Sequence, residues 1–144
     1  MNPQASFALT TDDDHLFAEF LGVIATRLAH AARHDQELVT PIGGRHWRKL
    51  ASTMTYDAWL VAWAAGSGLP EHDHDGSTAA FRVIRGELVE RLSQRGRRVR
   101  LRVLGAGGIA TVLPGQRHAV TNSGIATATS IHVYSPPLGD AWRA

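Results

Sequence analysis

The sequence predicts a mainly β fold, a barrel or sandwich of short strands with helix at its N-terminal end. Three observations predict it. Apolar residues recur at helical spacing only between residues 12 and 38. Beyond Pro41-Ile42-Gly43-Gly44 that spacing gives way to short alternating runs, separated by Gly, Pro, Asp and Ser. No helical pattern recurs between those runs, which argues against strand–helix–strand units.

The elements follow in chain order. Leu16, Phe17, Phe20, Leu21, Ile24 and Leu28 mark one helix or two shorter ones over 12–38. Thr11 ahead of Asp12, Asp13 and Asp14 gives a start signal, a capping oxygen followed by acids at the positive end of the dipole. His30 and His34 are four apart and have the spacing to share a metal, but beside Arg27 and Arg33 they read better as a solvated basic C-terminal turn. Expected strands cover 45–51, 56–64, 79–84, 87–94, 99–104, 108–113, 118–122 and 127–134. Arg98, Arg100 and Arg102 alternate with Val99, Leu101 and Val103. An RNA-binding stripe would interleave aromatics with these arginines, so the expectation is a strand with its charged face in water.

Composition narrows the function. The chain of 144 residues fits one domain, 1–144, with helix over 12–38 and β structure over 45–138. Its apolar fraction of 44% and charged fraction of 19% are those of an ordinary folded protein. A formal charge of +2 gives no reason to expect nucleic acid or an anionic membrane as partner. With no cysteine, disulfides, iron–sulfur clusters and thiolate ligands are excluded, and any metal must rest on nitrogen and oxygen. Eight histidines can supply the nitrogen. No signal peptide and no membrane-length apolar run are visible, so the expectation is a cytoplasmic protein, with a monomer favoured.

The chemistry concentrates in Glu71-His72-Asp73-His74-Asp75. Side chains alternate along an extended segment, so His72 and His74 project from one face and can converge on one metal. His118 follows Pro114-Gly115-Gln116-Arg117 as a third nitrogen donor. Ser130, His132 and Tyr134 lie at i, i+2 and i+4 on one strand, which puts three polar groups on one face.

Gly66, His72, His74 and Gly86 form one block; Gly108, Pro114, Gly115, His118 and Asn122 form a second. The two resemble the paired motifs of the cupin family. The position of the usual cupin glutamate ligand is Ala79, and no acid lies between Asp75 and Glu87. That departure, together with Trp63, Ser77 and the run Ser130-Ile131-His132-Val133-Tyr134-Ser135-Pro136-Pro137, is similar to the thiol dioxygenases, cysteine dioxygenase above all.

The resemblance implies a cupin barrel, a double-stranded β-helix of jelly-roll type, with Fe(II) held by His72, His74 and His118. It implies that Tyr134 contacts substrate or oxygen, oriented by His132 and Ser130. It places the clamp for a substrate carboxylate on an early strand, at Arg48, with Arg45 as fallback. It makes Ala79 the counterpart of a cysteine that crosslinks to the tyrosine in some animal members, and Ser135–Pro136 a cis bond. The shorter C-terminus implies a more open pocket mouth than in animal members. The implied reaction adds both atoms of O2 to the sulfur of L-cysteine, giving cysteine sulfinate. Another small thiol such as 3-mercaptopropionate, and a non-catalytic ligand-binding or metal-binding cupin, are the alternatives.

Overall fold

The structure is a computed structural model and describes residues 3–32 and 44–139. Helix α1 spans Pro3–Ala32. It begins well before the expected start, with Pro3 at its first position, where a missing N–H costs nothing. Thr11 to Asp14 lie inside it and do not cap it. Residues 33–38, and with them His34, fall outside the described residues; His30 is exposed in the last turn.

The buried stripe of α1 is Ala18, Leu21, Ala25, Ala29 and Ala32. Small side chains let the helix lie close on a sheet. Phe17 and Phe20, expected inward, are 40% and 59% exposed, because the alanines take the contact face instead.

Among the described residues nine strands follow: β1 Arg45–Ser52, β2 Asp57–Trp63, β3 Gly68–His72, β4 Thr78–Arg85, β5 Leu88–Gln94, β6 Arg100–Leu104, β7 Ile109–Val112, β8 Gln116–Thr121 and β9 Ala128–Ser135. They form two antiparallel sheets, ordered β1-β2-β9-β4-β7 and β3-β8-β5-β6. Trp59, Val61, Trp63, Phe81 and Val83 from the first sheet meet Leu88, Leu92, Leu104 and Val120 from the second in the barrel interior. The opposite face of the first sheet carries Leu60, Ala80, Ile131 and Val133 and is covered by α1. Its central strands β2 and β9 are therefore buried on both sides and read as continuous apolar runs.

Strand β3 has no counterpart among the expected strands, because Gly68 and Pro70 interrupt its alternation. Pro70 is tolerated because β3 is an edge strand. Gly68 is needed for closeness: a Cβ there would stand 2.8 Å from the Val120 carbonyl oxygen of β8.

Strand β6 reverses its expected orientation. Leu101 and Val103 are 70% and 64% exposed, while Arg102 pairs across to Glu90, a fully buried acid on β5. The cost of burying an unpaired carboxylate exceeds that of wetting a few aliphatic side chains, so charge sets the face.

Candidate metal centre

The three histidines meet because β3 and β8 are neighbours. His72 ends β3 and pairs directly with His118 of β8. Beyond β3 the chain reverses through Asp75, at φ 52°, and Gly76, at φ 89°, closed by the Ser77 N–H to the His74 carbonyl at 3.0 Å. Both central residues are left-handed, the geometry of a type I′ turn, and Asp and Gly are the residues that adopt it. The turn returns His74 to the interior face, where it is buried. On the outer face, Arg117 holds Asp73 at 2.9 Å, so the two ligand-bearing segments are also clasped from outside.

His118 Nε2 lies 3.1 Å from His72 Nε2 and 3.2 Å from His74 Nε2. Two imidazoles holding one ion at about 2.1 Å, with an angle between about 90° and 109°, place their nitrogens roughly 3.0–3.4 Å apart. The spacing fits a shared metal ion. Among the described residues no Asp or Glu joins the cluster.

Burial pushes the His74 pKa down to about 3, helped by the neighbouring His118 and His72. Burial also lowers that of His72, against a hydrogen bond to the Pro70 carbonyl. Both rings are neutral at pH 7, and a neutral nitrogen lone pair is what a metal takes. The outer nitrogens differ. His72 Nδ1 faces the Pro70 carbonyl at 2.8 Å, His118 Nδ1 faces the Glu90 carboxylate at 2.8 Å, and His74 Nδ1 is buried without a hydrogen-bond partner.

Beside the trio, β9 presents a chain of hydrogen bonds. Trp63 Nε1–H donates to Ser130 Oγ at 2.9 Å, Ser130 Oγ lies 2.7 Å from His132 Nε2, and His132 Nδ1 lies 3.4 Å from the Tyr134 hydroxyl. Trp63 has only a donor to offer. Ser130 therefore accepts from Trp63, and the direction of its bond to His132 follows the His132 tautomer. With Nδ1 protonated, Ser130 donates to Nε2 and His132 donates toward Tyr134; with Nε2 protonated, both bonds run the other way. The Tyr134 ring lies 5.2 Å from that of His74. Burial, then Asp57, raises the Tyr134 pKa, so it stays a phenol, and burial pushes His132 well below its ordinary value, so it stays neutral.

The model of cysteine dioxygenase type I matches residues 25–143. The chain belongs to the cysteine dioxygenase type I family. That family's thiol dioxygenases are cupins, and the two-sheet barrel has cupins among its structural neighbours. The protein TT1209 from Thermus thermophilus superposes with a TM-score of 0.63 at 20% identity, over 72% of this chain and 93% of that one. A conserved protein with a double-stranded β-helix domain from Klebsiella pneumoniae gives a TM-score of 0.60 at 24% identity, over 71% and 85%. Oxalate oxidase in complex with glycolate gives 0.58 at 23% identity, over 65% of this chain and 52% of that one. At these identities the likeness is one of fold. No curated protein sequence matches.

Other features of this cysteine dioxygenase type I member stand as follows. The Ser135–Pro136 bond is cis. Ala79 pairs directly with Tyr134 across β4 and β9. Arg48 is not brought to the site. It pairs with Leu60, which faces α1, whereas its neighbour Trp47 packs on the barrel interior. The interior positions of β1 are Arg45, Trp47 and Lys49, opposite Trp63, Val61 and Trp59. Arg45 donates to the Gly68 carbonyl at 2.8 Å, four residues farther from the Tyr134 end of the barrel than Lys49. Lys49 Nζ sits 5.0 Å from the centre of the Trp59 ring. One residue separates the expected clamp from Lys49, an exposed residue whose register is that of the interior face, and on a strand one residue inverts the face.

Glu90 carries no expectation from the sequence. Its signal is present there all the same: Leu88, Glu90 and Leu92 share one strand face, so a lone acid sits on an apolar stripe.

Proposed function

We propose that this chain is an Fe(II)-dependent thiol dioxygenase acting on L-cysteine. One observation carries the reading: three imidazole nitrogens converge with no carboxylate among the described residues joining them, next to a buried tyrosine that is hydrogen-bonded into the Ser130–His132 chain. His72, His74 and His118 would hold the metal. When bound, Fe(II) supplies adjacent open positions and the electrons that bring a thiol and O2 into reaction. With no carboxylate directly on the ion, the centre would stay positively charged, which favours an anionic thiolate over a neutral thiol.

The chain's own residues do the rest. Tyr134 keeps its proton and stands beside the site, its ring 5.2 Å from that of His74. His132 and Ser130 hold that phenol in place. Phe81, buried in the barrel interior, stacks on His132 with ring centres 4.9 Å apart and keeps that ring in place. Lys49 takes the role that the resemblance gives to Arg48, as the cation on the interior face of β1 that meets a substrate carboxylate. One O2 is consumed per thiol, both its atoms enter the sulfinate, and the thiol proton is released.

The outward position of Arg48 favours a second reading, in which another small thiol carrying a carboxylate, such as 3-mercaptopropionate, is preferred. Turnover of each thiol under 18O2 by the Fe(II)-loaded protein tests both. Cysteine sulfinate carrying two labelled oxygens is expected. A preference for the deaminated thiol selects the second reading, and a product with water-derived oxygen or no thiol-dependent O2 uptake overturns both.

A further inference from the structure

We propose that Glu90 is a positioning residue that sets the donor strength of His118, with Arg102 as its counter-charge. The inference rests on the reading that the three histidines hold a metal. Glu90 lies on β5 beside β8, one diagonal step from His118, and is fully buried. Its two oxygens are divided. Oε1 accepts from Arg102 Nε at 2.6 Å, and Oε2 lies 2.8 Å from His118 Nδ1. Arg102 also donates to the Thr111 carbonyl at 3.1 Å, so the guanidinium is fixed from the first sheet while it grips an acid on the second.

Two consequences follow from the geometry. A carboxylate at Nδ1 requires the Nδ1–H tautomer, which leaves the Nε2 lone pair of His118 aimed at His72 and His74. An anion accepting that N–H also makes the ring a stronger donor than one held by a neutral carbonyl, as His72 is, or by nothing, as His74 is. The ligand set is therefore graded, with His118 the strongest. The negative charge that a carboxylate ligand would bring is supplied one hydrogen bond farther out. Arg102 limits that charge by occupying the other oxygen.

The test is metal binding, not turnover. Apparent Kd values for Zn(II) and Co(II) are measured by chelator competition on wild type and Glu90→Gln. Gln keeps the shape and an oxygen for Nδ1 but removes the charge, and its loss of affinity is expected at about 10- to 100-fold, with a shifted Co(II) visible spectrum. Wild type that binds metal with Glu90→Gln equal to it in Kd and spectrum overturns the inference and leaves the metal reading intact. Wild type that binds neither ion overturns the metal reading. The second measurement needs no variant. In Zn(II)-loaded wild type, the His118 Nδ1–H proton is expected farther downfield and slower to exchange than that of His72, and equal shifts overturn the proposal.

Discussion

Ser130→Ala isolates the role of the hydrogen-bond chain. The change removes a single oxygen from a residue with no exposure, so packing is almost untouched. It strands two partners. The Trp63 Nε1–H loses its acceptor in a buried site and forfeits its full desolvation cost, about 1–3 kcal/mol. His132 Nε2 loses its hydrogen-bond partner, at about 1 kcal/mol. The expected destabilisation is about 2–4 kcal/mol, read from urea unfolding of the metal-free protein by tryptophan fluorescence. Because Trp63 and Ser130 share one bond, the Trp63→Phe/Ser130→Ala double variant is expected to cost less than the sum of the singles, by at least about 1 kcal/mol. Turnover has its own expectation. Without Ser130 Oγ, the His132 ring loses the bond that holds it against Tyr134, and the phenol is no longer kept in one orientation beside the trio. kcat should fall by about tenfold or more with KM little changed. A stability loss below about 0.5 kcal/mol, or an additive double variant, refutes the bonding assigned to the chain, and an unchanged kcat refutes its role.

Two further outcomes follow from the same geometry. In the metal-free protein His74 stays neutral down to about pH 3, while in the unfolded chain it takes a proton near 6.5. The unfolded state then binds more protons between those values, so stability is full above pH 6.5 and falls as pH falls, by about 2 kcal/mol at pH 5 from His74 alone, with His72 and His132 adding in the same direction. Urea midpoints at about pH 8, 6.5 and 5 check it, and a flat profile contradicts it. Lys49→Gln should raise KM for cysteine about tenfold or more and leave cysteamine, which has no carboxylate, unchanged, while Arg48→Gln should leave both unchanged; the reverse pattern returns the clamp to Arg48.

Much of this is legible in the residues alone. Eight of the nine strands announce themselves by alternation or by apolar runs bounded by turn residues, and they emerge within a few residues of the expected limits. The histidines are readable because a period-2 pattern fixes a shared face locally, whatever the rest of the chain does. What escapes depends on partners distant in sequence. Glu90 and Arg102 acquire meaning only once β5 lies between β6 and β8, since neither residue alone says whether its charge is buried. Arg48 is misplaced because a single-residue register decides inward from outward, and Trp47, not the arginine, carries the packing that sets it. A proline conceals β3, which an edge position permits. In α1 the phenylalanines suggest one contact face and the alanines make another, because close approach to a sheet rewards small side chains over large ones.

The central claim is that nitrogen alone, from three side chains, holds the metal that a thiol and O2 meet. A crystal structure of the anaerobically Fe(II)-loaded protein with cysteine tests it most directly. One iron on the Nε2 atoms of His72, His74 and His118, with the substrate sulfur on the metal, is the predicted result. A protein carboxylate on the iron, or iron bound away from these rings, would contradict the account.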